Sequence, residues 1–191
     1  MNDHPIIEQN FQDKNFSGQK LPSIEYDSCT FTNCNFTEAD ISVVTFLECT
    51  FIDCNFTKVM MKQTAFRDEC VFENCKLLGA NFSSCNDFMF SATFKGCMLD
   101  YASFHGFQLK NTKFIDCKLL ETDFAEAIIS GSEFKNCDLT KTIFEQTNAE
   151  KVDFSTAFNY TINPEINMLK GAIFSKTNLQ GLLYKYQLVF K

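Results

Sequence analysis

From Cys29 to Phe154 a hydrophobic residue, most often Phe, returns every five positions but for two slips. The series opens Phe31, Phe36, Ile41, Phe46, Phe51, Phe56, Met61, Phe66, Phe72, Leu77, Phe82, Phe88, Phe94, Leu99 and runs on through Phe104, Leu109, Phe114, Leu119 and Phe124 to Phe154. Two residues ahead of each centre stands a small residue: Cys29, Cys34, Ala39, Val44, Cys49, Cys54 and so on, with Phe107 the one large exception. A helix turns about 100° per residue, so a five-residue step would spread these centres around its circumference. A continuous strand alternates faces with period two, and an odd step would put successive centres on opposite sides. The chain therefore turns a corner in every repeat.

The cysteines count the corners. Cys29 and Cys49 are twenty residues apart, as are Cys34 and Cys54, and as are Cys97, Cys117 and Cys137. Twenty residues are four repeats, so each coil has four sides. The spacing slips by one residue near Arg67 to Glu69 and by two near Asn86 to Ser91, and the columns realign beyond each insertion, as small bulges allow. The expectation is an all-β solenoid with coils about 4.8 Å apart, centres and small residues inward and the other three positions outward. The insertions read as too short to form functional loops.

The whole chain reads as one domain of 191 residues. Residues 1–28 form an N-terminal cap and an imperfect first coil: Met1 to Gln9 read as a loose lead-in, and Phe11, Phe16, Leu21 and Tyr26 extend the frame backwards. Residues 29–158 form regular coils. Residues 159–191 hold a helix, a last coil and a tail. Asn163 as N-cap, Pro164 at the first helical position, Glu165 in the first turn and Gly171 as a stop predict about two helical turns. The tail carries Leu182, Leu183, Tyr184, Tyr186, Leu188, Val189 and Phe190, too apolar to hang free, which predicts end-to-end dimerisation as well as capping.

Composition narrows the chemistry. A net charge of −7 argues against direct binding of nucleic acid. Between Leu21 and Thr57 lie six carboxylates, Glu25, Asp27, Glu38, Asp40, Glu48 and Asp53, with no Lys or Arg among them, an acidic patch suited to a partner protein; beyond Thr57 both signs mix. All ten cysteines take the small inward position, where a free thiol packs as a compact hydrophobe; stacked neighbours lie near the Cα separation a disulfide permits, so oxidation stays open, a reducing cytosol favours buried thiols, and no cysteine clusters with histidine at metal-ligand spacing. The two histidines, His4 and His105, stand alone, and no phosphate loop or metalloprotease motif occurs, so no catalytic residue, metal or cofactor is expected. The absence of a signal segment or a long apolar run leads to the expectation of a soluble, cytoplasmic protein without membrane contact.

Motifs such as Cys34-Asn35-Phe36-Thr37-Glu38 and Cys137-Asp138-Leu139-Thr140-Lys141 resemble the pentapeptide-repeat family, whose members form a right-handed quadrilateral β-helix. The ending from Asn159 to Phe174 resembles the C-terminal module of the quinolone-resistance (Qnr-type) branch. That resemblance implies an acidic dimeric rod that mimics duplex DNA, binds type II topoisomerases (DNA gyrase or topoisomerase IV) and protects them from quinolones. The chain departs from some members in lacking their two longer projecting loops. The alternative reading is a structural interaction scaffold for another partner.

Overall fold

The computed structural model describes residues 4–189 as a four-sided parallel β-solenoid. One wall is a nine-stranded parallel sheet running from Asn10–Gln12 at one end to Ile173–Phe174 at the other. Its registers place Phe11, Phe31, Phe51, Phe72, Phe94, Phe114, Phe134, Phe154 and Phe174 in one file. A second wall is a four-stranded sheet of Ile6–Ile7, Glu25–Asp27, Thr45–Leu47 and Ala65–Arg67. The other two walls are ladders of single bridges, such as Asn15 to Asn35 to Asn55 and Lys20 to Asp40 to Met60.

Each residue type follows from its place in the coil. Within a file the rings stack face to face, Phe31 on Phe51 at 5.1 Å and Phe36 on Phe56 at 4.5 Å. Between neighbouring files they meet edge to face, Phe31 with Phe36 at 5.6 Å and 66°. Both are the favoured aromatic geometries, so one side chain satisfies contacts along and across the rod. The small position is a hydrogen-bond donor site as well as a space filler. Thr64 and Thr142 hydroxyls donate to the carbonyls of Ile41 and Leu119 at 2.7 Å, and the thiols of Cys54 and Cys75 donate to those of Phe31 and Phe51 at 3.3 Å. The Ile41 carbonyl also accepts the Val44 N–H across the corner, so the hydroxyl fills its second lone pair. Most corners are tight turns with positive φ at the second residue after the centre, for example Asn33, Glu38, Val43 and Glu48.

Three expectations change. The lead-in is ordered from Ile6, which pairs in register with Tyr26 and starts the first coil earlier than expected. Phe88 is not a core centre: it is 66% exposed, and Phe90 turns inward instead, packing against Phe66, Phe82 and Phe107. The large Phe107, buried in a small position, meets the Phe90 ring edge-on at 5.0 Å. Finally, no helix follows Asn163. Its side chain does accept the Glu165 N–H at 3.1 Å, as an N-cap would, but only one turn forms. Asn167 then takes the small position, donating to the Phe144 carbonyl at 2.9 Å, and Met168 bridges Asn148, so coil closure overrides helix propagation. The short helix is Gln180–Leu183, flanked by 3-10 turns at Lys176–Asn178 and Tyr184–Tyr186.

Candidate interaction surfaces

All ten cysteines are buried free thiols, and Cys34, Cys54, Cys75, Cys97, Cys117 and Cys137 form one file on one wall. Burial pushes the Cys70 thiol up to about 12 and the Tyr26 hydroxyl to about 12 as well. These two groups stay protonated at neutral pH. Among the described residues no group of three or more His, Cys, Asp or Glu side chains could hold a metal. His105 is half exposed, 3.5 Å from Asp123 and 4.0 Å from Glu126. No helix among the described residues is long and apolar enough to cross a membrane.

The six N-terminal carboxylates do not gather into one patch. Glu25 and Asp27 flank Tyr26 on the four-stranded wall. Glu48 occupies the corner leaving that wall, Asp53 the corner after the nine-stranded sheet, and Glu38 the corner after the Phe36 file. Asp40 lies on the remaining wall in a bridge with Met60. The acid is thus a collar wound around the rod, a consequence of the corner every five residues that linear counting hides. Within it Asp40 is modulated: hydrogen bonds from the Ser42 hydroxyl and backbone N–H hold its carboxyl below the ordinary value, and Lys20 stands 4.0 Å away.

The tail residues divide into two roles. Leu182 packs against the core and Leu183 is half-buried, so these two belong to the cap. Tyr184, Tyr186, Leu188 and Val189 are 51%, 53%, 54% and 85% exposed, while Phe190 lies outside the described residues. The segment is fastened by Glu165, which pairs with Lys185 and accepts the Tyr186 hydroxyl at 2.8 Å. Ile166, Met168 and Ile173 extend the exposed apolar surface at this end.

The slips near Arg67 to Glu69 and near Asn86 to Ser91 come together at one corner of the coil, which linear spacing does not show. Arg67, the single arginine of the chain, has its guanidinium 5.8 Å from the centre of the Phe88 ring. Glu48, Asp68 and Glu69 line a depression of about 440 Å³ there. The two slips in the five-residue spacing were the available signal.

The family profile described as a pentapeptide repeat region matches residues 24–104 and 87–182. The chain belongs to the pentapeptide repeat family. Among solved structures it is similar to full-length QnrB1, a plasmid-mediated fluoroquinolone resistance protein, at 19% identity over 97% of this chain and 100% of that one, with a TM-score of 0.56. A trypsin-treated variant of QnrB1 matches at 22% identity over 99% of this chain and 98% of that one, with a TM-score of 0.53. No curated protein matches the chain by sequence. The pentapeptide-repeat solenoid is therefore the fold of the described residues from Ile6 to Phe174.

Proposed function

We propose that this pentapeptide-repeat protein is a non-catalytic, cytoplasmic binder of type II topoisomerase, DNA gyrase or topoisomerase IV, which it engages in place of duplex DNA and protects from quinolones. The observation that carries the reading is the collar: carboxylates on two walls and at three corners of a narrow rod, in a chain of net charge −7, where a duplex presents phosphate all round. The full-length correspondence with a fluoroquinolone resistance protein supports it. Nine rungs at about 4.8 Å give a rod roughly 40 Å long. Its net charge is several-fold sparser than the one charge per about 1.7 Å of duplex DNA. Attraction to a basic channel is accordingly modest and strongly screened by salt.

The exposed tail residues Tyr184, Tyr186, Leu188 and Val189 support a homodimer joined at this end. The mixed charges beyond Thr57, including the Lys141–Glu121 pair at 3.1 Å, favour the second reading, a scaffold for a different partner. A salt-series pull-down of gyrase, followed by supercoiling with and without ciprofloxacin, separates the two. We expect binding that weakens with salt and partial rescue of drug-inhibited supercoiling. Absence of binding at low salt together with unchanged drug inhibition discards the topoisomerase reading. Charge reversal at Glu38, Asp40 and Asp53 is expected to weaken binding without unfolding; unchanged affinity removes the collar from the account.

A further inference from the structure

The Thr112 hydroxyl is the odd member of its class. At the small position Thr122 donates to the Leu99 carbonyl at 2.9 Å, Ser132 to that of Leu109 at 2.7 Å and Thr142 to that of Leu119 at 2.7 Å, each in the coil before. The coil before Thr112 carries the Asn86 to Ser91 insertion, and among the described residues this hydroxyl meets no hydrogen-bond partner. The same interruption leaves the Gln108 N–H and the Lys110 carbonyl without backbone partners. Their counterparts one coil on are paired: the Ile128 N–H donates to the Phe107 carbonyl at 2.9 Å, and the Ser130 carbonyl accepts the Asn111 N–H at 3.1 Å. Thr112 is 2% exposed, and it lines a polar cleft of about 500 Å³ with Ser91, Thr93, Lys110, Lys113 and Glu69. A buried hydroxyl without a partner is costly, and one kept at the wall of a cleft is a donor held ready for a ligand.

The cleft holds charge of both signs. Lys110 and Lys113 stand on either side of its corner, Lys113 opening the strand Lys113–Ile115, and Glu69 reaches it from an earlier coil, its N–H bound to the Ser91 hydroxyl at 3.2 Å. Among the described residues none of the three has an ion-pair partner within 4.0 Å. Further carboxylates surround them: Asp87 beside Lys110, Glu133 in register with Lys113 one coil on, and Glu48 and Asp68 sharing a neighbouring depression with Glu69. This arrangement selects the ligand. A bare anion such as phosphate gains from the lysines but is repelled by Glu69, Asp87 and Glu133, and a bare cation is repelled by Lys110 and Lys113. A small zwitterion satisfies both. Its carboxylate accepts from the lysines and the Thr112 hydroxyl, and its ammonium donates to Glu69 and the free Lys110 carbonyl. The cleft volume is in the range of small-molecule sites.

We propose that this cleft binds a free α-amino acid through the carboxylate and ammonium common to that class, independently of any protein partner. The test is an NMR titration of the full chain, labelled with nitrogen-15, with each L-amino acid commonly found in proteins. The N-acetylated and carboxamide forms of the best binder, acetate and inorganic phosphate are titrated beside them. Saturable shifts at the Ser91, Thr93, Lys110 and Thr112 amides are expected with the free amino acid, and at least about tenfold weaker binding with either blocked form, which has lost one charge-assisted contact. Lys110→Gln/Lys113→Gln, at two exposed positions, is expected to fold by circular dichroism and to bind at least about tenfold more weakly. Thr112→Val separates binding from packing. Val152 fills the same inward file, so melting is expected at or above that of wild type while affinity falls about three- to tenfold. Thr122→Val, which removes a hydroxyl that does have an acceptor, is expected to melt lower and bind as wild type. Absence of cleft shifts with every amino acid, equal shifts with acetate or phosphate alone, or affinity within about twofold of wild type in the lysine variant or in Thr112→Val overturns the proposal.

Discussion

At the scale of single residues, the repeat is a division of labour between two inward positions. The centre must be large and flat to stack along its file and meet its neighbours edge-on; the small residue must leave room and, when polar, give a proton to a carbonyl in the coil before. This second demand explains why Cys, Thr and Ser are common there: Ser132 donates to Leu109 at 2.7 Å and Cys137 to Phe114 at 3.3 Å. Phe114 shows what the centre contributes. It is fully buried, stacked between Phe94 at 5.1 Å and Phe134 at 4.8 Å, with Phe124 edge-on at 5.9 Å. Phe114→Ala leaves a void that a file at fixed coil spacing cannot close, and urea unfolding is expected to show a loss of about 3 to 5 kcal/mol. A loss under about 1 kcal/mol would mean that the neighbouring coils collapse into the gap.

At the scale of elements, the departures from regularity hold the information. The segment after Asn163 carries helix-start signals and still forms a coil, because each coil it completes pairs with the one before, while an isolated two-turn helix is marginal. The true helix, Gln180–Leu183, exists because Gly181 lets it close on the last coil. The Gly181 carbonyl accepts the Ile162 N–H at 3.0 Å, and a Cβ there would strike the Tyr160 carbonyl and ring. Gly181→Ala is thus expected to lift the helix, lowering stability by roughly 1 to 3 kcal/mol and opening Lys185 to trypsin. Unchanged melting and unchanged cleavage would show that the cap is not seated in this way.

At the scale of the molecule, the rod has two distinct ends and one disturbed corner. Core residues at the first coil, Ile6, Phe11 and Phe16, are only half-buried, whereas the far end is covered by the Gln180–Leu183 helix. If the tail joins two copies, Leu188→Glu/Val189→Glu should yield monomers by sedimentation while leaving the melting of the coils unchanged, since both side chains are exposed. Dimers that survive both charges would place the joint elsewhere. The number of walls, the inward file of Phe31, Phe51 and Phe72, and the burial of every cysteine were all legible in the bare chain, because a period of five admits only a backbone that bends once per repeat and a core filled by the recurring residues. Which side of the rod each carboxylate faces, that Phe90 rather than Phe88 turns inward, and that two insertions one coil apart build a single corner were decided only in three dimensions. Periodicity specifies what must be buried, but where the period slips, several residues compete for one place in the core, and only the packing of the coils above and below selects among them.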